Sequence, residues 1–227
     1  EVDVGAGRWR VAPGRPVLAL SERLAGAERL RFAGLHAYQG AAQHARTPAE
    51  RRQMIDRAVQ QVRATLELLH EQGYRCDTVT GAGTGTYPLE AASGVYNEIQ
   101  PGSYIFMDAD YRRNLGDDGQ PVHFFEQSLY VWATVMSRPT AERAVVDAGL
   151  KALSVDSGMP WCVDAGLEYL RASDEHGVLR VGDGARLRLG DKLRLVPGHR
   201  DPTVNLSDWT VAHRGNTAPS ACPTAAR

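Results

Sequence analysis

The sequence predicts an α/β half followed by an antiparallel β domain, and three observations carry that reading. Through residues 1–118, runs of strand character alternate with runs of helical character, the signature of parallel β/α units. Beyond about Val122 the texture changes to short β-rich runs divided by Gly, Asp and Pro. Between them, "RRNLGDDGQP" is polar and turn-like, so the boundary is set at 118/119 and the β domain spans 119–227.

Each element follows from local chemistry. Val2 and Val4 alternate with acidic residues up to Gly5, a short strand, and "RPVLALSERLAGAE" after Pro13-Gly14 reads as a helix. "LRFAGLHAYQG" is strand then loop. Thr47-Pro48-Ala49-Glu50 opens a long helix, with Thr47 as N-cap, Pro48 where a missing N–H does no harm, and Glu50 closing a capping box. Apolar Met54, Ile55, Ala58, Val59, Val62, Leu66 and Leu69 recur at helical spacing until Gly73. "CDTVTGAGTGTY" is strand plus glycine-rich loop, and "GSYIFMDADY" reads as a fourth strand. Four such units are half of an eight-stranded barrel, and a chain opening inside a strand at Glu1 is expected to be the carboxyl-terminal portion of something longer. In the β domain, "LYVWATVMSRPT", "ERAVVDAG", "LKALSVDSG", "LEYLRASDEHGVLRV", "ARLRLGDKLRLVPG" and "NLSDWTVAHRG" are the candidate strands.

Bulk properties exclude several classes. The 227 residues, 43% hydrophobic, suffice for a sizeable core without staples. Lys plus Arg number 26 against 27 acidic residues, so there is no general footprint for nucleic acid. Three cysteines without a CxxC pair argue against a disulfide framework and for a reducing, cytoplasmic setting. No apolar run approaches eighteen residues, which argues against a membrane role.

Two stretches invite chemistry. In "TGAGTGTY", small residues let the backbone curl so that N–H groups converge, with Thr84 and Thr86 adding hydroxyls: a phosphate cradle, or a tight structural turn. Neither a dinucleotide fingerprint nor a Gly-Lys-Ser/Thr loop is completed there. In "PGHRDPT", His199 and Asp201 supply one nitrogen and at least one oxygen, a donor set suited to Mn or Zn rather than Ca, or else simply a polar loop. Tyr38 and Gln39 stand at a strand end, where a tyrosine can meet a ring or merely pack. Arg8 follows another strand end, as a partner for a ligand's phenolate or carboxylate, or as a surface arginine.

Read together, "EVDVGAGR", "GLHAYQGAAQHARTPAER", "TGAGTGTY", "ASGVYNEIQPGSYIFMDADY" and "PGHRDPT" resemble the D-threonine aldolase and D-serine dehydratase-like family. The resemblance implies an alanine-racemase-like fold, a pyridoxal 5'-phosphate (β/α)8 barrel followed by a β domain, here expected as the second half of the barrel plus that domain. By resemblance Arg8 contacts the cofactor ring oxygen, Tyr38 lies near the pyridine nitrogen with Gln39 beside it, and Gly83, Thr84, Gly85 and Thr86 surround the phosphate. His199 and Asp201 become metal ligands. Dehydratase-like members resemble His-x-Cys with zinc at this point, so Asp201 favours an aldolase using manganese, with zinc or magnesium as alternatives. The implied activity is cleavage of D-threonine and related D-β-hydroxy-α-amino acids to glycine and an aldehyde. Release of pyruvate from D-serine and an inactive structural fragment are the rival readings, and a homodimer is the implied assembly.

Two departures stand against the resemblance. The family's Schiff-base lysine lies on the first barrel strand, upstream of the arginine matched by Arg8, and the chain's only lysines are Lys151 and Lys192. This motivates the expectation of a separate N-terminal segment carrying that lysine. The second is Trp9-Arg10, where relatives carry Cys-Gly.

Overall fold

The computed structural model describes all residues except Arg8, Asn216 and 225–227, together with the side chain of Pro219. The chain divides into two compact units, Glu1–Tyr104 with Arg113–His123, and Ile105–Arg112 with Phe124–Arg227.

The first unit is built on a parallel sheet of β1 (Gly34–His36), β2 (Thr78–Gly81) and β3 (Glu98–Ile99), with β2 in the middle. Leu35 stands opposite Val79 and His36 opposite Thr80. The opening residues lie along the free edge, where the Val2 N–H donates to His36 O at 2.8 Å. Two helices flank the sheet, α1 (Arg15–Ala25) and α2 (Pro48–Glu71). The α2 capping box forms as the sequence predicts: Thr47 Oγ1 accepts from the Glu50 N–H at 3.2 Å, and the Thr47 N–H donates to Glu50 Oε2 at 3.0 Å. The helix runs out at Gln72, and Gly73 follows at φ 80°, a left-handed turn that glycine enters without a Cβ penalty. Its inward stripe, Ile55, Ala58, Val62 and Leu69, is fully buried with Val2, Leu35 and Val79. Each large aliphatic side chain there contributes about 1.5–3 kcal/mol of burial. A short helix, α3 (Tyr87–Ala92), follows the glycine-rich loop.

The stretch "GSYIFMDADY" is not a strand. It forms two 3-10 turns, Ser103–Ile105 and Tyr111–Arg113, and the strand next to β2 is the two-residue β3 that precedes it. Two local features break the extended run: Met107 lies at φ 55°, and Asp108 Oδ1 accepts the Tyr111 N–H at 2.9 Å.

In the second unit, β4 (Val131–Thr140), β5 (Arg143–Val146), β6 (Trp161–Cys162), β7 (Leu167–Ala172), β8 (Gly177–Val181) and β9 (Lys192–Val196) form one antiparallel sheet in the order β6-β9-β4-β5-β8-β7. Alternating inward residues, among them Ala133, Val135, Leu179, Leu193 and Leu195, make its core with Leu153. The run "LKALSVDSG" is turn rather than strand, consistent with its Asp-Ser-Gly breaker. A five-residue helix, α4 (Arg200–Val204), follows β9, and the hairpin of β10 (Trp209–Arg214) and β11 (Thr217–Pro223) closes the unit. Among the described residues, no helix is long and apolar enough to cross a membrane.

Candidate active site

In the first unit the loop Gly83–Thr86 leaves the carboxyl end of β2. Its glycines are required by close approach. A Cβ at Gly83 would lie 2.5 Å from Gln43 Oε1 and 2.7 Å from Tyr38 Oη, and one at Gly85 would lie 2.9 Å from Gln43 O. Gln43, fully buried, is the floor of the loop: its Nε2 donates to Thr86 Oγ1 at 2.7 Å, and its Oε1 accepts the Gly85 N–H at 2.9 Å. Thr86 Oγ1 in turn donates to Glu90 Oε1 at 2.8 Å. Sequence reading of this loop missed both Gln43 and Glu90, because their partners stand on other elements.

The donors of the loop can be counted. The Thr86 and Tyr87 N–H groups go to Gly83 O at 3.2 and 2.9 Å, and the Gly85 N–H goes to Gln43. Thr86 has its hydroxyl proton on Glu90, whereas Thr84 Oγ1 accepts the Tyr104 N–H at 3.0 Å and keeps its own proton. Among the described residues, no acceptor from the chain meets the Gly83 and Thr84 N–H groups. Two backbone donors and one hydroxyl thus remain for an anion, which is what a phosphate asks of a loop.

Glu90 lies beneath that cradle, 1% exposed, with Oε2 buried and unpartnered. Burial pushes its carboxyl up to about 6. Tyr38 is half-buried beside Gly83. Gln39 is occupied within the scaffold, its Nε2 donating to Val4 O at 2.8 Å and its Oε1 accepting the Ala41 N–H at 3.2 Å. Arg8 lies outside the described residues. Its neighbour Arg10, at the position of the Trp9-Arg10 departure, donates to Tyr38 O at 2.6 Å and pairs with Glu1 at 2.7 Å.

In the second unit His199 is the N-cap of α4 in extended conformation, and Asp201 and Pro202 lie inside the helix. The two side chains converge through the cap rather than along a strand: His199 Nε2 and Asp201 Oδ2 are 3.5 Å apart. Two ligands at bond lengths of about 2.1 Å around a tetrahedral ion stand about 3.4 Å from each other, so this separation suits a shared cation. The donor set, one imidazole nitrogen and one carboxylate oxygen, is of the mixed kind that suits Mn or Zn better than Mg. Among the described residues no cluster of three or more His, Cys, Asp or Glu converges on one point, so solvent or substrate oxygens would complete the shell.

Two further acids, missed by sequence reading, belong to this region. Asp156 Oδ2 lies 2.7 Å from His199 Nδ1, and its other oxygen accepts from Ser154. Burial pushes its carboxyl up, but the bonds from Ser154 and His199 outweigh that and hold it below the usual range. Asp108, 1% exposed, receives the Arg200 N–H at 3.2 Å; burial pushes its carboxyl up.

The phosphate part of pyridoxal 5'-phosphate fits the first unit. No lysine amine accompanies it there: Lys151 and Lys192 both stand in the second unit, where Lys151 pairs with Glu175 and Lys192 donates to Thr134 Oγ1 at 2.6 Å.

Comparison with known proteins finds a match in each half of the chain. Residues 1–110 match the model of the alanine racemase N-terminal domain, and residues 128–213 match that of a putative serine dehydratase domain. The chain is 44% identical over 230 residues to a 3-hydroxy-D-aspartate aldolase of Paracoccus denitrificans (strain Pd 1222), covering 100% of this chain and 59% of that protein. It is 48% identical over 216 residues to a D-threonine aldolase of an Arthrobacter species, covering 94% and 56%. The crystal structure of the D-threonine aldolase from Filomicrobium marinum superposes with a TM-score of 0.93 at 47% identity, over 99% of this chain and 61% of that one. The D-threo-3-hydroxyaspartate dehydratase from Delftia sp. HT23, at 23% identity and TM-score 0.83, over 98% of this chain and 64% of that one, shares the fold. The chain thus spans somewhat over half the length of the curated relatives it matches, 59% and 56%.

Two expectations are overturned by these matches. Residues 1–118 are not merely the second half of a barrel, nor the chain merely the carboxyl-terminal portion of such an enzyme, because residues 1–110 match the racemase N-terminal domain itself. A separate N-terminal segment as partner falls for the same reason, since that domain is part of this chain. Every β/α unit of an eightfold repeat carries the same hydrophobic pattern, so counting strands could not say which domain model the residues satisfy. Through these two matches and its aldolase relatives, the chain is similar to the D-threonine aldolase and D-serine dehydratase-like enzymes, and it has the alanine-racemase-like fold.

Proposed function

We propose that the protein is a metal-assisted, pyridoxal-phosphate-dependent aldolase that cleaves D-threonine and related D-β-hydroxy-α-amino acids to glycine and an aldehyde. The observation that supports it most is the pairing of His199 Nε2 with Asp201 Oδ2 at 3.5 Å, a nitrogen and oxygen donor pair without a thiolate. Relatives described as aldolases of D-threonine and 3-hydroxy-D-aspartate point the same way.

In this reading the Gly83 and Thr84 N–H groups and the Thr84 hydroxyl hold the phosphate, Tyr38 faces the pyridine nitrogen, and Arg8 is assigned to the ring oxygen. Gln39, Gly85 and Thr86 shape the cradle from behind. His199 and Asp201 hold manganese and thereby select the β-oxygen of the substrate. When bound, the cofactor supplies an electron sink for the Cα–Cβ bond, and the divalent ion acts as a Lewis acid on the β-hydroxyl. The three cysteines, all unpaired, favour a cytoplasmic setting.

The test is chelation of the protein expressed from its complete gene and loaded with cofactor. Exhaustive EDTA should reduce acetaldehyde release from D-threonine at least about 100-fold while cofactor absorbance persists, and manganese should restore it. Undiminished cleavage without divalent ions would remove the metal role. Pyruvate from D-serine, with no aldehyde from D-threonine, would favour a dehydratase.

A further inference from the structure

We propose that Asp156 is the positioning residue of the metal site: it holds the Nδ1–H of His199, and so turns the Nε2 lone pair toward Asp201 and the ion. This rests on reading His199 and Asp201 as metal ligands. A carboxylate can only accept, so at 2.7 Å from Asp156 Oδ2 the Nδ1 of His199 must carry a proton. In the neutral form of such a ring the lone pair is on Nε2, facing Asp201 Oδ2 across 3.5 Å, too long for a hydrogen bond. Two acceptors face to face in that form are what a cation between them would hold together.

The contact is built into the backbone. The turn at residues 154–158 packs so closely on the residues before His199 that a Cβ at Gly198 would lie 1.9 Å from Gly158 O. Buried Thr203 ties the same two segments together, accepting the Ser154 N–H at 3.1 Å and donating to His199 O at 2.6 Å. Ser154 Oγ then donates to the second oxygen of Asp156, orienting the carboxylate that orients the imidazole. A ligating histidine whose other nitrogen donates to a carboxylate is a recurrent arrangement of metal sites, and its loss costs 10–100-fold in metal affinity. Asp156 sits on the far side of the ring from Asp201, so it acts through His199 and does not touch the ion.

The experiment has two independent readouts on the full chain. Manganese alone is titrated into wild type, Asp156→Ala and His199→Ala, with free Mn2+ followed by EPR; Asp156→Ala should weaken binding about 10–100-fold at an unchanged apo melting temperature. Separately, 15N NMR of the metal-free protein should show His199 protonated at Nδ1 in wild type and shifted to the Nε2–H form in Asp156→Ala. Unchanged affinity in Asp156→Ala, or an Nε2–H tautomer in wild type, would overturn the proposal. Binding equal in wild type and His199→Ala would instead sink the metal site beneath it, and would take this proposal with it.

Discussion

The glycine loop of the first unit and the His-Asp pair of the second are built on opposite principles. The loop rests on a buried polar chain, Gln43 to Thr86 to Glu90, in which almost every donor is already used, and among the described residues those on Gly83 and Thr84 are left without an acceptor. The His199–Asp201 pair stands at the surface, with the Asp201 side chain 62% exposed, and owes its geometry to one cap and one neighbouring carboxylate. Stability and binding should therefore be coupled in the first region and separable in the second.

The largest effect should come from Gly83→Ala. Gln43 cannot yield to the added methyl, because its amide is pinned by Thr86, Gly85 and Gln39 O. A loss of about 1–3 kcal/mol in urea unfolding is expected, with phosphate affinity down at least about 10-fold by calorimetry. A variant with full stability and weakened phosphate binding would break the coupling claimed for this region.

Next comes Glu90→Gln, which sharpens it. The wild-type carboxyl rises from 4.5 to about 6 on burial, so its contribution to stability is fully present below pH 4.5 and is lost as pH rises through about 6. That difference corresponds to about 2 kcal/mol. Gln keeps an acceptor for Thr86 without the charge, so the variant should gain on wild type by about this amount between pH 4 and pH 8. A constant offset across that range in chemical denaturation would mean that Glu90 is not the titrating group.

The smallest effect on stability is expected at Asp201→Asn. Its carboxylate is exposed and its ion pair with Arg200, at 3.1 Å, is of the kind worth little. Unfolding free energy should stay within about 0.5 kcal/mol of wild type while manganese binding is lost. A large destabilisation would show that the His199–Asp201 pair also holds the fold.

Some of this was legible from residue order alone. Thr47, Pro48 and Glu50 announce a helix start because capping is settled within four residues. The glycine loop could be recognised because small residues in series are a local property. Its floor could not: Gln43 lies in a stretch that reads as loop, and its contact to Thr86 spans 43 positions. Asp156 is equally far from His199, in a run that looked like a strand. "GSYIFMDADY" misled for the same reason, since its apolar residues suit an extended chain but the Asp108 side chain bonds back to its own backbone.

By itself the sequence determined the succession of parallel and antiparallel units, the caps, and which segments carry small residues or metal-ligand types, because these depend on neighbours within a turn or two. Only the tertiary structure decided which hydroxyl in the loop keeps its proton and which nitrogen of His199 faces Asp201. Hydrogen-bond partners are chosen by proximity in space, and a side chain with one proton to give can be directed by a residue anywhere along the chain.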